Sequence, residues 1–260
     1  MRTMVDACTR DGTGGSPTVV VDDDPSLRDE DRCAIVRESG ASHGAFLSVP
    51  HLRFFTGTGE LRNCGHGILA AHAVLLSRSG LPEQRLRHRT GDRPHVADAA
   101  WRPDGIEVWY DQGAVSLSAP DAAAGVLAAL GAPAVIGLSV ASPGTPRLLV
   151  EVPDAEAVMA VTPDSARLAA ACRERELLGC FVWAFGPDRS VTARMFAPAI
   201  GVDEDVANAN SSGCLAAHLY ATGRGDTVQV RQGDALGRPS TVLASTDGRT
   251  TRIGGTVRIR

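Results

Sequence analysis

The stretch Gly67-Ile68-Leu69-Ala70-Ala71-His72 returns as Gly213-Cys214-Leu215-Ala216-Ala217-His218, at an offset of 146 positions (213 minus 67), with only the Ile68/Cys214 pair changed. Each copy opens a run that is apolar nearly all round, Ile68 to Leu76 and Cys214 to Tyr220. A helix of that kind needs burial on every side. Gly80 and Gly223 follow where helix C-termini are expected. A short aromatic stretch precedes each copy, Arg53-Phe54-Phe55-Thr56 and Arg194-Met195-Phe196-Ala197. The pattern predicts a duplicated α+β fold of two pseudo-symmetric lobes, each a mostly antiparallel sheet wrapped around one central helix. The lobes are placed at 1–122 and 123–260, with the terminal strand free to cross to the other lobe. If the lobes face each other, both helix N-termini point into one cleft, where backbone N–H groups and helix dipoles favour a carboxylate.

Away from the repeats, short β-rich runs dominate: Thr18 to Val21, Ala45 to Val49, Ile106 to Tyr110, Val135 to Val140, Leu148 to Val152, Phe181 to Ala184 and Thr227 to Val230. Gly, Pro and Asp turns separate them. Amphipathic periodicity predicts helices over Pro25 to Glu38 and Ser165 to Leu178.

A chain of 260 residues, 43% hydrophobic, can bury a sizeable core. Its net charge of −4, with Arg interspersed among Asp and Glu, provides no basic footprint for nucleic acid or anionic membranes. No apolar run approaches the roughly 20 residues that span a bilayer, and the first residues are polar, so a cytoplasmic location is expected. The six cysteines are scattered, without a CxxC pair, and suit reduced thiols. The histidines show no HExxH or comparable spacing, so no metal is expected. All 26 basic residues are Arg. The absence of lysine excludes Schiff-base chemistry, pyridoxal-phosphate enzymes and a Walker A loop.

The residues able to carry chemistry lie at the two helix entrances. Asn63-Cys64-Gly65-His66-Gly67 puts a thiol, an imidazole and flexible backbone at the positive end of a buried helix, which lowers a thiol pKa and lets backbone approach an anion. A structural Cys with a capping His would leave the same pattern. At the second entrance, Asp203-Glu204-Asp205 precedes Asn208-Ala209-Asn210-Ser211-Ser212-Gly213, which an N-cap and acidic first turn would also explain. Gly40-Ala41-Ser42-His43-Gly44 fits the G-x-S-x-G nucleophile elbow, but that motif needs a strand before it and a helix after it. Here the order is reversed, which argues against a serine hydrolase.

Many short motifs, in order along nearly the whole chain, resemble the phenazine-biosynthesis PhzF-like family, which shares the diaminopimelate-epimerase fold. Gly15-Ser16-Pro17 resembles its Gly-Asn-Pro, and Ser42-His43-Gly44-Ala45-Phe46 sits where it has Ser-Glu-Thr-x-Phe. Arg53-Phe54-Phe55-Thr56, Glu60-Leu61 and Cys64-Gly65-His66 resemble R-x-F-T, E-L and C/A-G-H. Phe196-Ala197-Pro198, Gly201-Val202 and Glu204-Asp205 resemble F-A-P, G-I and E-D. Gln232-Gly233, Gly237-Arg238-Pro239-Ser240 and Gly254-Gly255 match its C-terminal signatures.

The resemblance implies a cofactor-independent acid–base isomerase, typically a homodimer, acting on small amino-acid-derived carboxylates in antibiotic or pigment pathways. Dihydroanthranilates and alkylated pyrroline or proline precursors are among the expected substrates. It assigns catalytic roles to His43, His66, Asp205 and Asn210. Ser16, Ser42, Cys64, Gly65, Gly67, Asn208, Ala209 and Ser211 are expected to bind substrate. Two positions depart from the family pattern. His43 replaces the principal proton-transfer Glu, and an imidazole with an ordinary pKa of about 6.5 can still shuttle protons. Asn208-Ala209-Asn210-Ser211 replaces T-G-S-A, removing a glycine and a hydroxyl but keeping groups able to hold a carboxylate. The two-thiol racemases of this fold carry a Cys on each lobe; Cys64 fills one place, but Asn208 or Asn210 stands at the other. The alternatives are a non-catalytic small-acid binding protein or a one-base epimerase.

Overall fold

A computed structural model of the chain describes residues 1–121 and 123–260. The expected lobe boundary falls on residue 122, which lies outside the described residues. The chain forms two compact units: Met1–Asp111 with Arg238–Thr241 and Ile253–Arg260, and Gln112–Gly237 with Val242–Arg252.

In chain order the elements are β1 (Arg2–Thr9), β2 (Ser16–Asp22), α1 (Asp29–Ser39), β3 (His43–Ser48), β4 (His51–Phe55), β5 (Glu60–Leu61), α2 (Gly65–Ser79), β6 (Glu83–Thr90), β7 (Arg93–Arg102) and β8 (Gly105–Gly113). There follow β9 (Ser116–Ser118), α3 (Ala124–Leu130), β10 (Gly137–Ser142), β11 (Arg147–Glu151), α4 (Ala155–Met159), α5 (Ser165–Glu174), β12 (Cys180–Phe185), β13 (Val191–Ala197), β14 (Val202–Asp205), α6 (Ala209–Ala221), β15 (Thr227–Gln232), β16 (Ser240–Thr246) and β17 (Thr251–Ile259). Three divisions between units fall inside β8, β16 and β17, and the fourth lies between Gly237 and Arg238. The fold is α+β, and most strand pairs are antiparallel; β2 with β3, β4 with β6, β11 with β12 and β13 with β15 are parallel.

In the first unit α2 packs against β1, β2, β3, β6 and β7. Every residue from Gly65 to Val74 is buried, as its all-round apolar sequence requires. Gly80 ends the helix in the left-handed conformation, at φ 71°. A Cβ on Gly67 would run into the Phe54 ring, so the glycine of the repeat is the close-approach point between helix and sheet. On another layer, Cys33, Ile35 and Val36 of α1 pack on Val19, Val21, Phe46 and Phe55. In the second unit α6 is buried in the same manner, with Cys214, Leu215, Ala216 and Leu219 against Phe181, Trp183, Met195 and Val230. Its Gly213 lies where a Cβ would meet the Gln112 amide oxygen. The continuous apolar run of β12 is explained by burial on both faces. Phe181 and Trp183 face α6, while Cys180, Val182 and Ala184 belong to a second core with Val126, Leu130, Val158, Leu168 and Cys172.

Two helix ends differ from the sequence expectation. Helix α1 starts at Asp29 rather than Pro25 because buried Arg32 holds the preceding loop in a non-helical path. It pairs with Asp23 at 2.7 Å and donates to the Leu27 and Asp24 carbonyls at 2.5 and 3.1 Å. Helix α5 stops at Glu174 rather than Leu178, since Glu176 takes a left-handed φ of 52° and the Leu177 N–H turns back to the Cys172 carbonyl at 2.9 Å.

Candidate active site

His43 is the first residue of β3 and pairs in register with Thr18 on β2. Cys64 is the N-cap of α2, in extended conformation, and its Sγ accepts the Gly67 N–H at 3.3 Å. The sulfur thus takes one of the N–H donors that the first turn of a helix leaves without a backbone partner. His66 lies in the first turn of the same helix, so the strand start and the helix start meet. The His43 and His66 ring centroids are 5.2 Å apart at 45°. One donor atom from each of His43, Cys64 and His66 lies within 4.8 Å of the others. His66 and Cys64 are buried and His43 is half-buried, so the group combines an enclosed interior with an approach at His43.

Gly65 and Gly67 belong to the same turn. Ser42 adjoins His43 but is exposed, and its N–H donates to the Pro17 carbonyl at 2.9 Å. It lies between helix α1 and strand β3, the reverse of a nucleophile elbow. Ser16, at the start of β2, is buried, and its Oγ has no hydrogen-bond partner among the described residues.

The second unit gathers Asp205, Asn208, Ala209, Asn210 and Ser211 at the entrance of α6. Asn208 is the N-cap; its Oδ1 accepts the Ser211 N–H at 2.9 Å and its Nδ2 donates to Asp205 Oδ2 at 2.9 Å. The acidic residue is thus fastened to the cap rather than serving as one. Three residues unmarked by the sequence as site candidates frame this turn. Gln112 donates to the Asn210 carbonyl at 3.1 Å. Gln232 accepts the Asn208 N–H at 2.8 Å and donates to Ser212 Oγ at 3.1 Å. Buried Arg147 donates to Ser211 Oγ at 3.3 Å. Arg147 sits outside every motif, and only its place in an otherwise apolar run, Arg147-Leu148-Leu149-Val150, hinted at it.

A second histidine group supports α2 from below. His72 Nε2 and His88 Nδ1 are 2.9 Å apart, His88 and His95 stack at 5.1 Å, and His95 Nδ1 meets the Asp111 carbonyl at 3.0 Å. Burial pushes His72 down to about 4 and His88 down to about 3, and lowers His95 as well. These rings are neutral packing groups at neutral pH. A broad concavity of about 1020 Å³ in the first unit is lined by Asp23, Arg32, Arg53 and Glu60 and contains none of the candidate residues. Within it Arg53 pairs with Glu60 at 2.8 Å and Arg32 with Asp23 at 2.7 Å.

Comparison with known proteins places the chain in a family. The family model described as phenazine biosynthesis-like protein matches residues 5–260. An uncharacterized isomerase of Salmonella typhimurium is 31% identical, over 92% of this chain and 87% of its own. The trans-2,3-dihydro-3-hydroxyanthranilate isomerase of Pseudomonas fluorescens is 29% identical, over 96% of this chain and 91% of its own. Among solved structures, a Pseudomonas aeruginosa protein described as a predicted epimerase superposes with a TM-score of 0.83 at 26% identity, covering 100% of this chain and 96% of that one. A protein from Agrobacterium radiobacter described as a probable proline racemase shares the fold at a TM-score of 0.69 and 12% identity, covering 100% and 90%.

Proposed function

Because the chain belongs to the phenazine biosynthesis-like family and is an isomerase of that type, we propose that it shifts a proton, and with it a double bond, within a small unsaturated amino-acid-derived carboxylate. The observation that carries the reading is the meeting of His43 with Cys64 and His66 at the start of a buried helix. His43, in its unprotonated form, uses its ring lone pair to take a proton from carbon, and the electron pair left behind moves through the adjacent double bond. The imidazolium then returns the proton to the far carbon of the same system, so no oxidant or added group is needed. The His66 ring, packed on His43, holds that imidazole in place, and the first N–H groups of α2 favour the substrate's negative charge. The family resemblance gives Asp205 and Asn210, at the entrance of α6 beside the Asn208 cap, a catalytic role as well, and that role is proposed on the resemblance alone.

A second thiol does not take part. Cys214 is buried inside α6 and burial pushes its thiol up to about 11, so it is no acid–base partner for Cys64 near neutral pH. This favours a one-base hydrogen shift over two-thiol racemisation.

The relative named for trans-2,3-dihydro-3-hydroxyanthranilate suggests the first substrate to try, followed by alkylated pyrroline carboxylates. Double-bond migration is followed by ultraviolet absorbance. The expected result is turnover by the wild type and a loss of at least about 100-fold in His43→Ala. Thermal stabilisation by these acids without any turnover would instead indicate a binding protein.

A further inference from the structure

We propose that His43, Cys64 and His66 form a binding site for a borderline-soft divalent cation of the zinc class, with the fourth coordination position open. The three donor atoms lie within 4.8 Å of one another. Tetrahedral zinc, with bonds of about 2.0–2.1 Å to nitrogen and about 2.3 Å to sulfur, spaces its ligand atoms roughly 3.3–3.7 Å apart. Side-chain movements of about 1 Å therefore close the set. The scaffold is stiff enough to hold it: β3 fixes His43 through its pairing with Thr18, and Cys64 and His66 sit in the first turn of a buried helix.

The donor set selects the ion. Two imidazoles and a thiolate suit Zn²⁺ and Co²⁺, whereas Mg²⁺ and Ca²⁺ require oxygen ligands. Three protein ligands with one open position is the arrangement of zinc sites that also receive water or a small ligand. The positive end of α2 opposes a cation, but the Gly67 N–H on Cys64 Sγ favours the thiolate, whose charge offsets that opposition. On metal entry the thiol proton leaves to solvent. Ligand spacing along the sequence concealed the site, because His43 comes from a strand far upstream of the helix that carries the other two donors.

The inference uses the side chains of the proposed proton transfer, though not the reaction. An ion seated there takes up the lone pair that His43 needs, so the loaded and proton-transferring forms exclude one another.

The test titrates the reduced, chelator-treated full-length protein with Co²⁺ in the absence of substrate. The expected result is one Co²⁺ per chain, with tetrahedral visible absorption and a near-ultraviolet thiolate-to-cobalt band. Cys64→Ser removes that band and His43→Gln weakens affinity at least about tenfold. Zn²⁺ displaces the Co²⁺ and Mg²⁺ does not. Absence of the thiolate band, its survival in Cys64→Ser, or unchanged affinity in His43→Gln overturns the proposal. Should Cys64→Ser fail to fold, Zn²⁺ must raise the Tm of the wild type and raise that of His43→Gln by clearly less at the same Zn²⁺ concentration; an equal rise overturns the proposal. Because no substrate is present, a negative result leaves the isomerase reading standing, and an inactive enzyme leaves the spectra to be judged alone.

Discussion

Acidification from pH 7.5 to 5 should destabilise the first unit through its buried histidines. His72 sits near 4 when folded, against about 6.5 when unfolded, because burial disfavours its charged form; Asp98 opposes the shift and His95 reinforces it. Between these values the unfolded state binds the extra proton, so stability is full above pH 6.5 and declines as the pH falls toward 4. At pH 5 the unfolded ring is almost wholly protonated and the folded ring almost wholly neutral, a cost of roughly 2 kcal/mol for His72 alone. His88, lowered further to about 3, acts in the same direction, as do His95 and, in the second unit, His218. The carboxylates whose values are lowered, such as Asp22 and Asp31, titrate below this window. For a chain of this size 2 kcal/mol corresponds to about 4–8 °C in Tm. Thermal unfolding followed by circular dichroism at pH 7.5, 6 and 5 measures the fall, and His72→Leu isolates its share, which should shrink by about that amount. A Tm constant over this range, or an unchanged pH dependence in His72→Leu, would refute the reasoning.

Other outcomes follow from close packing and buried charge. Gly67→Ala pushes a methyl into the Phe54 ring and should cost about 1–3 kcal/mol by denaturant titration, with partial recovery when Phe54→Leu opens space. Gly213→Ala should cost a similar amount, since its methyl meets the Gln112 amide that holds the Asn210 carbonyl. Arg194→Ala strands Glu204, which Arg194 grips through both oxygens at 2.8 and 2.9 Å, and frees the Val161 carbonyl; a loss of about 3 kcal/mol is expected, and Arg194→Lys should restore only part of it.

The two central helices were legible because their character lies in unbroken local sequence. A run apolar on all sides has one physical solution, enclosure, and the repeated glycines mark where sheet and helix touch. The hairpin of β6 and β7 was not legible. Its buried positions include His88, Thr90 and His95 rather than aliphatic residues, so the alternation reads as polar. The start of α1 was misplaced for a tertiary reason: one buried arginine, Arg32, uses the carbonyls that a helical turn would need. At the candidate site, the Cys64 turn could be read from helix-start chemistry, while His43 emerged only through family resemblance. Arg147 and Gln112 were hidden because side chains that brace a helix N-terminus from other strands leave no spacing signature, and Gln232, though inside the Gln232-Gly233 signature, carried no sign of its bracing role.

The central claim is that His43 carries the proton. It is tested most directly with a substrate bearing deuterium at the carbon that loses its proton, with the product examined by NMR after turnover in ordinary water. A single half-buried imidazole that takes and returns the same proton predicts that part of the deuterium appears at the new carbon, and that His43→Gln abolishes both turnover and transfer. Turnover that continues undiminished in His43→Gln, with all product hydrogen drawn from solvent, would contradict the account.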